Sequence, residues 1–483
     1  MTTDEDHHDD DDELGSRHLC AVCIGERYLR AEVQRTGRED TCFYCGGVEV
    51  GLSVEEIADH IEGAFERHYT ITPAEASSLE YTMMKEGGRD WEREGEPARY
   101  AIANAAEISD EPAEDIREFL AERHYDMELA RMGEEGPFDD DVHYAESGPN
   151  DIEFRESWRF FENSLKKEAR FFSTAAEATF AELFEGLHGH KNYDGRPVVV
   201  DAGPGTELSA IYRARVFYST EKLEEALAHP NRHLGPPPSE LAPAGRMNAR
   251  GISVFYGAIN PDTAIGETRP PVGSRVLLGR FEFLRPVRLL DVSALRSIYV
   301  QGSIFDPGHL RRLKLAKFLE RLSERFAMPV MPNDEPLDYL PTQAIADYLA
   351  NRIDPALDGV LYPSVQADGV SANLALFHKS ARVEAIALPQ GTKIDTATGF
   401  DSEDGRETDY WVWEEVPPKR PESEKKTDEF PVFDDILAKS LRADTDMRDP
   451  AIRVDTSSLQ VHHIRATQFR TESYSVHRHR KQR

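Results

Sequence analysis

The segment AIYRARVFY at residues 210–218 alternates with a period of two. Ile211, Arg213, Arg215 and Phe217 fall on one side, and Tyr212, Ala214, Val216 and Tyr218 on the other, so it predicts a β-strand with two arginines on one face. A second strand is predicted over Ile252 to Ala258, a short β-branched and aromatic run preceded by a loop that Gly245 and Gly251 bracket. Asn260-Pro261-Asp262-Thr263 then supplies a cap residue and a first-turn proline, which places Glu267 early on a helix leaving the end of that strand. The first third of the chain has a different rhythm. Ser53-Val-Glu-Glu56 reads as a capping box, followed by Ile57, Ile61 and Phe65 at intervals of four. Further helices are predicted over 112–125 and over 153–187, the latter carrying Trp158, Phe160, Phe161, Phe171, Phe172, Phe180 and Phe184 as core or as a packing face. LQVHHIRATQF, from Leu459 to Phe469, alternates as a late strand in which His462 and His463 are ordinary strand residues.

At 483 residues the chain calls for about three structural units, and 39% hydrophobic content is enough to give them cores. The expected division is an acidic disordered tail at 1–15, a cysteine-bearing unit at 16–50, a helical unit at 51–190, an α+β domain at 191–395, a charged linker at 396–450, a strand region at 451–475 and a basic tail at 476–483. Trp411 and Trp413, within the proline-rich charged stretch, are expected to dock back onto the domain. With 57 Lys plus Arg against 89 Asp plus Glu, the formal net charge of −32 repels phosphate backbones and argues against a nucleic-acid partner. Neither GxGxxG nor GxxxxGK[ST] occurs, so neither a Rossmann nor a P-loop nucleotide site is supported. No run approaches the roughly 20 apolar residues that cross a bilayer, and the acidic start is unlike a secretory leader; a cytoplasmic protein without a membrane partner is expected.

All four cysteines lie near the start, as Cys20-Ala-Val-Cys23 and Cys42-Phe-Tyr-Cys45, with eighteen residues between the pairs. That is the spacing of a four-thiolate zinc ribbon, in which each CxxC forms a knuckle and a structural Zn2+ stands in for a core too small to fold alone. Two disulfides, a redox pair or an iron–sulfur cluster are the other uses of such thiols. The acidic leader offers the first no support, and a redox CxxC does not explain two pairs at knuckle spacing.

Five ordered blocks carry a family resemblance: the arginine strand around Arg213, GRMNARGISVFYGA, the glutamate Glu267 a short interval after Tyr256, LLDV at 289–292, and DGVLYPSVQADGVSANLALF. Together they resemble the RES domain, named for an arginine, a glutamate and a serine, here Arg213, Glu267 and Ser364. The resemblance covers residues from about 195 to 390. It implies an ADP-ribosyltransferase-like domain with a mixed β-sheet and flanking helices, which binds NAD+ in a cleft and breaks the nicotinamide–ribose bond. Known members are toxins of toxin–antitoxin pairs, some degrading NAD+ by hydrolysis or phosphorolysis and one type modifying a protein.

Breaking that bond develops positive charge on the ribose, an oxocarbenium-like state that a carboxylate stabilises. Glu267 is the expected carboxylate, and Tyr256 is expected to stack on nicotinamide or hydrogen-bond the ribose. Arg213 and Arg246 are expected to hold the diphosphate through bidentate bonds, with Ser364 and Asn373 completing the ribose or phosphate contacts. The catalytic set is thus Arg213, Tyr256, Glu267 and Ser364; the NAD+-binding set is Arg213, Arg246, Tyr256 and Asn373; the metal set is Cys20, Cys23, Cys42 and Cys45.

A ribbon followed by a helical unit also resembles, more loosely, the HEPN-like module found ahead of some RES domains. HEPN nucleases carry an arginine and a histidine on one helix, here Arg117 and His124, but Glu118 stands where a polar residue is usual. The reading is an α+β multidomain chain that degrades NAD+ as a toxin or defence effector. The alternatives are mono-ADP-ribosylation of a protein, a HEPN-type RNase or an inactive scaffold. Control by an antitoxin, autoinhibition by the N-terminal module and homo-oligomer formation stay open.

Overall fold

The computed structural model describes residues 14–418 and 446–477, apart from 88–90, 133–134, 169–172, 329, 332, 365, 367–370, 403–404 and 469–470. The acidic run before Leu14, Phe171 and Phe172, the charged stretch from 419 and the basic end from 478 lie outside the described residues. The chain forms two compact units, Met1–Arg155 with Val300–Phe318, and Glu156–Tyr299 with Leu319–Arg483.

In the first unit, β1 (His18–Cys20), β2 (Arg38–Thr41) and β3 (Val48–Ser53) form an antiparallel sheet with β3 in the middle. The end of β1 and the β2–β3 hairpin loop carry the two CxxC knuckles. Gly46 turns that loop at φ +71, where a side chain would be strained. The helix Val54–His68 starts at the predicted capping box, with the Ser53 and Glu56 side chains each bonded to the other's backbone N–H. Its buried face of Ile57, Ile61, Ala64 and Phe65 meets Ile116 and Leu120 of the helix Asp110–Arg123. Leu19, Ile24 and Leu29 join this same core, so the knuckles and the helices fold as one body. A purely helical 51–190 is not observed: β4 (Tyr69–Ile71), β5 (Glu96–Pro97) and β6 (His143–Glu146) form a small sheet with β6 central. No sequence run announced it, because strands this short are set by pairing more than by propensity.

The expected 153–187 helix is two, Ile152–Lys167 and Thr174–Leu183. Trp158, Phe161, Phe180 and Phe184 are buried, and Phe180 and Phe184 pack on Tyr348 of the helix Leu340–Asn351. Phe160 instead faces solvent.

The second unit is built on an eight-stranded sheet. Its strands are β7 (Val199–Ala202), β8 (Ala210–Phe217), β9 (Phe255–Ala258), β10 (Arg275–Phe283), β11 (Val287–Asp291), β12 (Gly359–Pro363), β13 (Ala372–Leu376) and β18 (Ile452–His463). The order is β18-β10-β8-β9-β13-β12-β11-β7, antiparallel except for β11 and β12. The late strand does join the sheet, on the edge of β10, and begins seven residues earlier than the Leu459 expected from sequence. β9 begins at Phe255, not Ile252. Between β8 and β9 only Tyr212 and Ala258 pair, so the two strands diverge on leaving that contact. The expected linker at 396–450 contains β15 (Phe400–Ser402), β16 (Gly405–Glu407) and β17 (Trp411–Glu415); β15 pairs with β16, and β17 pairs with β14 (Lys393–Ala397), which straddles the expected boundary. Trp411 and Trp413 stack on each other and remain half exposed instead of docking. Among the described residues no helix is long and apolar enough to cross a membrane.

Candidate active site and candidate metal centre

The divergence of β8 and β9 opens a cleft of about 270 Å³. Tyr212, Arg213 and Ala214 line it from β8, Tyr256, Gly257 and Ala258 from β9, Tyr362 from β12, Asn373 from β13, and Glu267 from the helix Pro261–Glu267. That helix begins as the sequence predicts, with Asn260 Oδ1 accepting from the Thr263 N–H at 2.9 Å and Pro261 in the first turn. It lies close on the sheet because Ala258, Ala264 and Leu278 pack there with Ala214 and Ile265. Glu267 is the last residue of this short helix, not early on it as the sequence predicts, because the helix stops after seven residues; it is thereby turned toward β12 and β13.

There the predicted residues meet. Ser364 Oγ donates to Glu267 Oε1 at 2.5 Å, and Asn373 Nδ2 donates to the same oxygen at 2.7 Å. Ser364 is almost fully buried; its own N–H is bonded to the Ser371 carbonyl, and the Gln366 N–H donates to its hydroxyl. Two donors on one oxygen fix the carboxylate's orientation and leave Oε2 without a hydrogen bond among the described residues.

Arg213 lies across the Phe255 ring, its guanidinium carbon 4.8 Å from the centroid. Among the described residues Nη1 is buried with no hydrogen-bond partner, and no carboxylate offsets the charge. Burial, with Arg215 adding to it, holds the guanidinium down to about 10. An unpaired buried cation beside a cleft is costly unless an anion comes to it. Arg215 does not share this task, because its Nη1 donates to the His233 carbonyl at 2.6 Å.

Tyr256 turns a ring into the cleft, but its hydroxyl is engaged: it donates to Asn248 Oδ1 at 2.8 Å and accepts from the Met247 N–H at 3.0 Å. Burial pushes this phenol up, so it is a neutral anchor for the 245–248 turn. Asn248, buried, gives its amide to the carbonyls of Pro243, Ala249 and Ile252. Arg246 is not among the residues lining this cleft. Its guanidinium donates to the carbonyls of Phe326 and Met328, at the C-terminus of the helix His309–Ala327, where a cation is favoured. Sequence reasoning passed over Tyr362, whose phenol burial pushes up, and Asn248. Tyr362 was within reach, since it stands only two residues before Ser364, near the end of β12.

The four cysteine sulfurs lie within 4.8 Å of one another, with Cys20–Cys23 at 3.6 Å, Cys20–Cys45 at 3.7 Å and Cys23–Cys42 at 4.0 Å. A tetrahedral zinc with Zn–S near 2.3 Å needs sulfurs about 3.8 Å apart. Burial raises the Cys20 and Cys23 thiols. At Cys42 the same burial is outweighed by hydrogen bonds from the backbone of Cys20, Cys45 and Tyr44, which bring it to about 7. Such a cluster gathers four thiolates only around a cation, and the donor set fits Zn2+.

Arg117 and His124 do not converge. Arg117 is buried, paired with Glu114 and donating to the Phe138 carbonyl, while His124 bonds Glu62 at 2.5 Å.

The cleft thus brings a helix-borne carboxylate, Glu267, together with the half-buried Arg213, whose buried Nη1 has no hydrogen-bond partner among the described residues. Residues 210–396 match the family model described as RES domain, and this segment is a RES domain. RES domains are associated with NAD+-utilising enzymes. Neither a curated protein nor a solved structure matches the chain.

Proposed function

We propose that the chain is an NAD+-degrading toxin or defence effector whose RES domain cleaves the nicotinamide–ribose bond. The observation that carries this reading is Glu267, held by Ser364 and Asn373 in a cleft that also contains the unpartnered Arg213. Arg213 binds the diphosphate, which supplies the counter-charge its guanidinium lacks. Glu267 faces the ribose and stabilises the oxocarbenium-like charge as the C–N bond breaks and its electron pair passes to the nicotinamide nitrogen. Water or phosphate then attacks the ribose carbon. With water the products are ADP-ribose, nicotinamide and a proton. Tyr256 supplies a ring face for nicotinamide, and its hydroxyl positions the 245–248 turn. Arg246 acts on the site through the loop that carries it. Transfer of ADP-ribose to a protein side chain is the second reading, since the same bond breaks and only the acceptor differs.

The N-terminal unit, read as a zinc-stabilised HEPN-like module, restrains or triggers the RES domain in place of, or together with, an antitoxin. Nicotinamide release from NAD+ by the full chain, with and without phosphate and beside Glu267→Gln, tests the reaction. Release abolished by the variant supports it, and the co-product names the acceptor. Absence of release combined with labelling of an added protein would favour transfer; absence of both would overturn the reading.

A further inference from the structure

The first unit has a cavity of its own, about 360 Å³, unrelated to the cysteine cluster. Aromatic residues form much of its wall. Phe65 and Tyr69 stack at 4.3 Å, Tyr144 meets Phe65 edge-on at 5.0 Å, and Phe138 lies 5.2 Å from Tyr144. The polar part of the lining is Glu62, bonded through Oε1 to His124 Nε2 at 2.5 Å and through Oε2 to Arg123, together with His124 itself and the exposed Glu66 and Thr70.

Phe138 is held in an unfavourable conformation, at φ +65, where a bulky side chain is a genuine outlier. The buried Arg117 fixes it by donating Nη1 to its carbonyl at 3.0 Å. A well-supported strain that turns a ring into a cavity is a feature of sites more often than of simple packing.

Carboxylates stand near the phenols of this wall. Burial pushes the Tyr69 phenol up to about 12, with the carboxylates of Glu146 and Glu96 adding to it. The Tyr144 phenol is raised by burial too, with Asp139 and Glu62 reinforcing it. Aromatic rings and carboxylates around one space suit a cation that prefers ring faces to water.

We propose that this cavity binds a compact alkylammonium head, with Tyr69, Phe65, Phe138 and Tyr144 providing the aromatic enclosure and Glu66 the negative charge, beside the Glu62 carboxylate that His124 and Arg123 hold in place. The head belongs either to a free polyamine or to a methylated lysine side chain, which share this chemistry. Its place on the N-terminal unit makes it an input to that unit, independent of whether the RES domain acts on NAD+.

The test is calorimetric titration of the full chain with tetramethylammonium chloride and with tert-butanol, its neutral near-isostere, at matched ionic strength. Tetramethylammonium is expected to bind at least about 5-fold more tightly, the difference a cation–π enclosure confers. Glu66→Gln and Tyr69→Leu should each weaken it by about the same factor, with zinc content and melting temperature confirming that the fold is kept. Equal binding of the two probes, or no tetramethylammonium binding, overturns the proposal whatever the variants do; so does unchanged binding in both folded variants. Spermidine and N-acetyl-trimethyllysine methylamide then separate the two sources by which of them binds more tightly.

Discussion

Ser364 and Glu267, 97 residues apart in the chain, share a hydrogen bond of 2.5 Å, which ties the Glu267 that lines the cleft to the end of β12. The serine hydroxyl is the donor, so Ser364 serves the carboxylate as a positioning residue; it need not be a nucleophile. Glu267→Gln is expected to reduce nicotinamide release by roughly 10²–10³-fold. Ser364→Ala should cost less, about 10-fold, with the loss in kcat more than in KM, because the carboxylate remains but is less well oriented. Steady-state kinetics of both variants separate these roles; equal losses would make the serine part of the chemistry itself.

Arg213 is a half-buried cation whose buried Nη1 has no hydrogen-bond partner among the described residues, so removing it should help folding while harming ligand binding. Arg213→Met is expected to raise the melting temperature and to abolish the further rise that ADP-ribose gives the parent chain. The pH dependence follows from the sign of the shift. The folded state lowers the arginine's affinity for a proton, so its penalty is fully present at neutral pH and is relieved only as pH climbs past about 10. Thermal melts with and without ADP-ribose check both statements.

Gly245 faces Tyr256 so closely that a Cβ there would lie 2.6 Å from the tyrosine hydroxyl and 2.7 Å from Asn248 Oδ1. Gly245→Ala must therefore displace the anchor of the 245–248 turn. Nicotinamide release is expected to fall about 10-fold, comparable to losing an oriented contact, and Asn248→Ala should reproduce it. Activity measured at unchanged melting temperature distinguishes a misplaced ring from a collapsed loop.

Arg246 offers a contrast, since its guanidinium meets the carbonyls of Phe326 and Met328. Arg246→Ala is expected to destabilise by about 1–3 kcal/mol, the range for charge-assisted bonds lost at a helix end. If its role is structural, urea unfolding will register the change and KM for NAD+ will move little; a large KM change at normal stability would place it on the diphosphate.

One zinc per chain is expected by elemental analysis, lost in Cys20→Ser or with a strong chelator. Because Leu19 and Ile24 belong to the same core as Ile57, Ile61 and Ile116, zinc loss should loosen the whole first unit instead of the knuckles alone. Circular dichroism of the helices before and after chelation measures this; unchanged helicity would confine the metal's role to the knuckles.

Much of this was legible because it is written locally. The alternation of 210–218, the Ser53–Glu56 capping box, the Asn260-Pro261 helix start and the two CxxC pairs each describe a stretch short enough for its own period or cap to decide its shape. The helix break within 153–187, the strands inside the presumed linker and the exposure of Trp411 and Trp413 were not legible, since they depend on which partner lies alongside.

By itself, then, the sequence determined which residue types were available and on which kind of element each would stand: a carboxylate on the helix that follows a strand, arginines on a strand, four thiols on two turns. Only the tertiary structure decided which of them meet. The single pairing of Tyr212 with Ala258 splits the sheet and makes the cleft, the register of β12 and β13 brings Ser364 and Asn373 onto Glu267, and the neighbouring carbonyls draw Arg215 and Arg246 away from Arg213. Hydrogen-bond register and the burial of charge are set by contacts across about 100 residues of chain or more, and no local pattern encodes them.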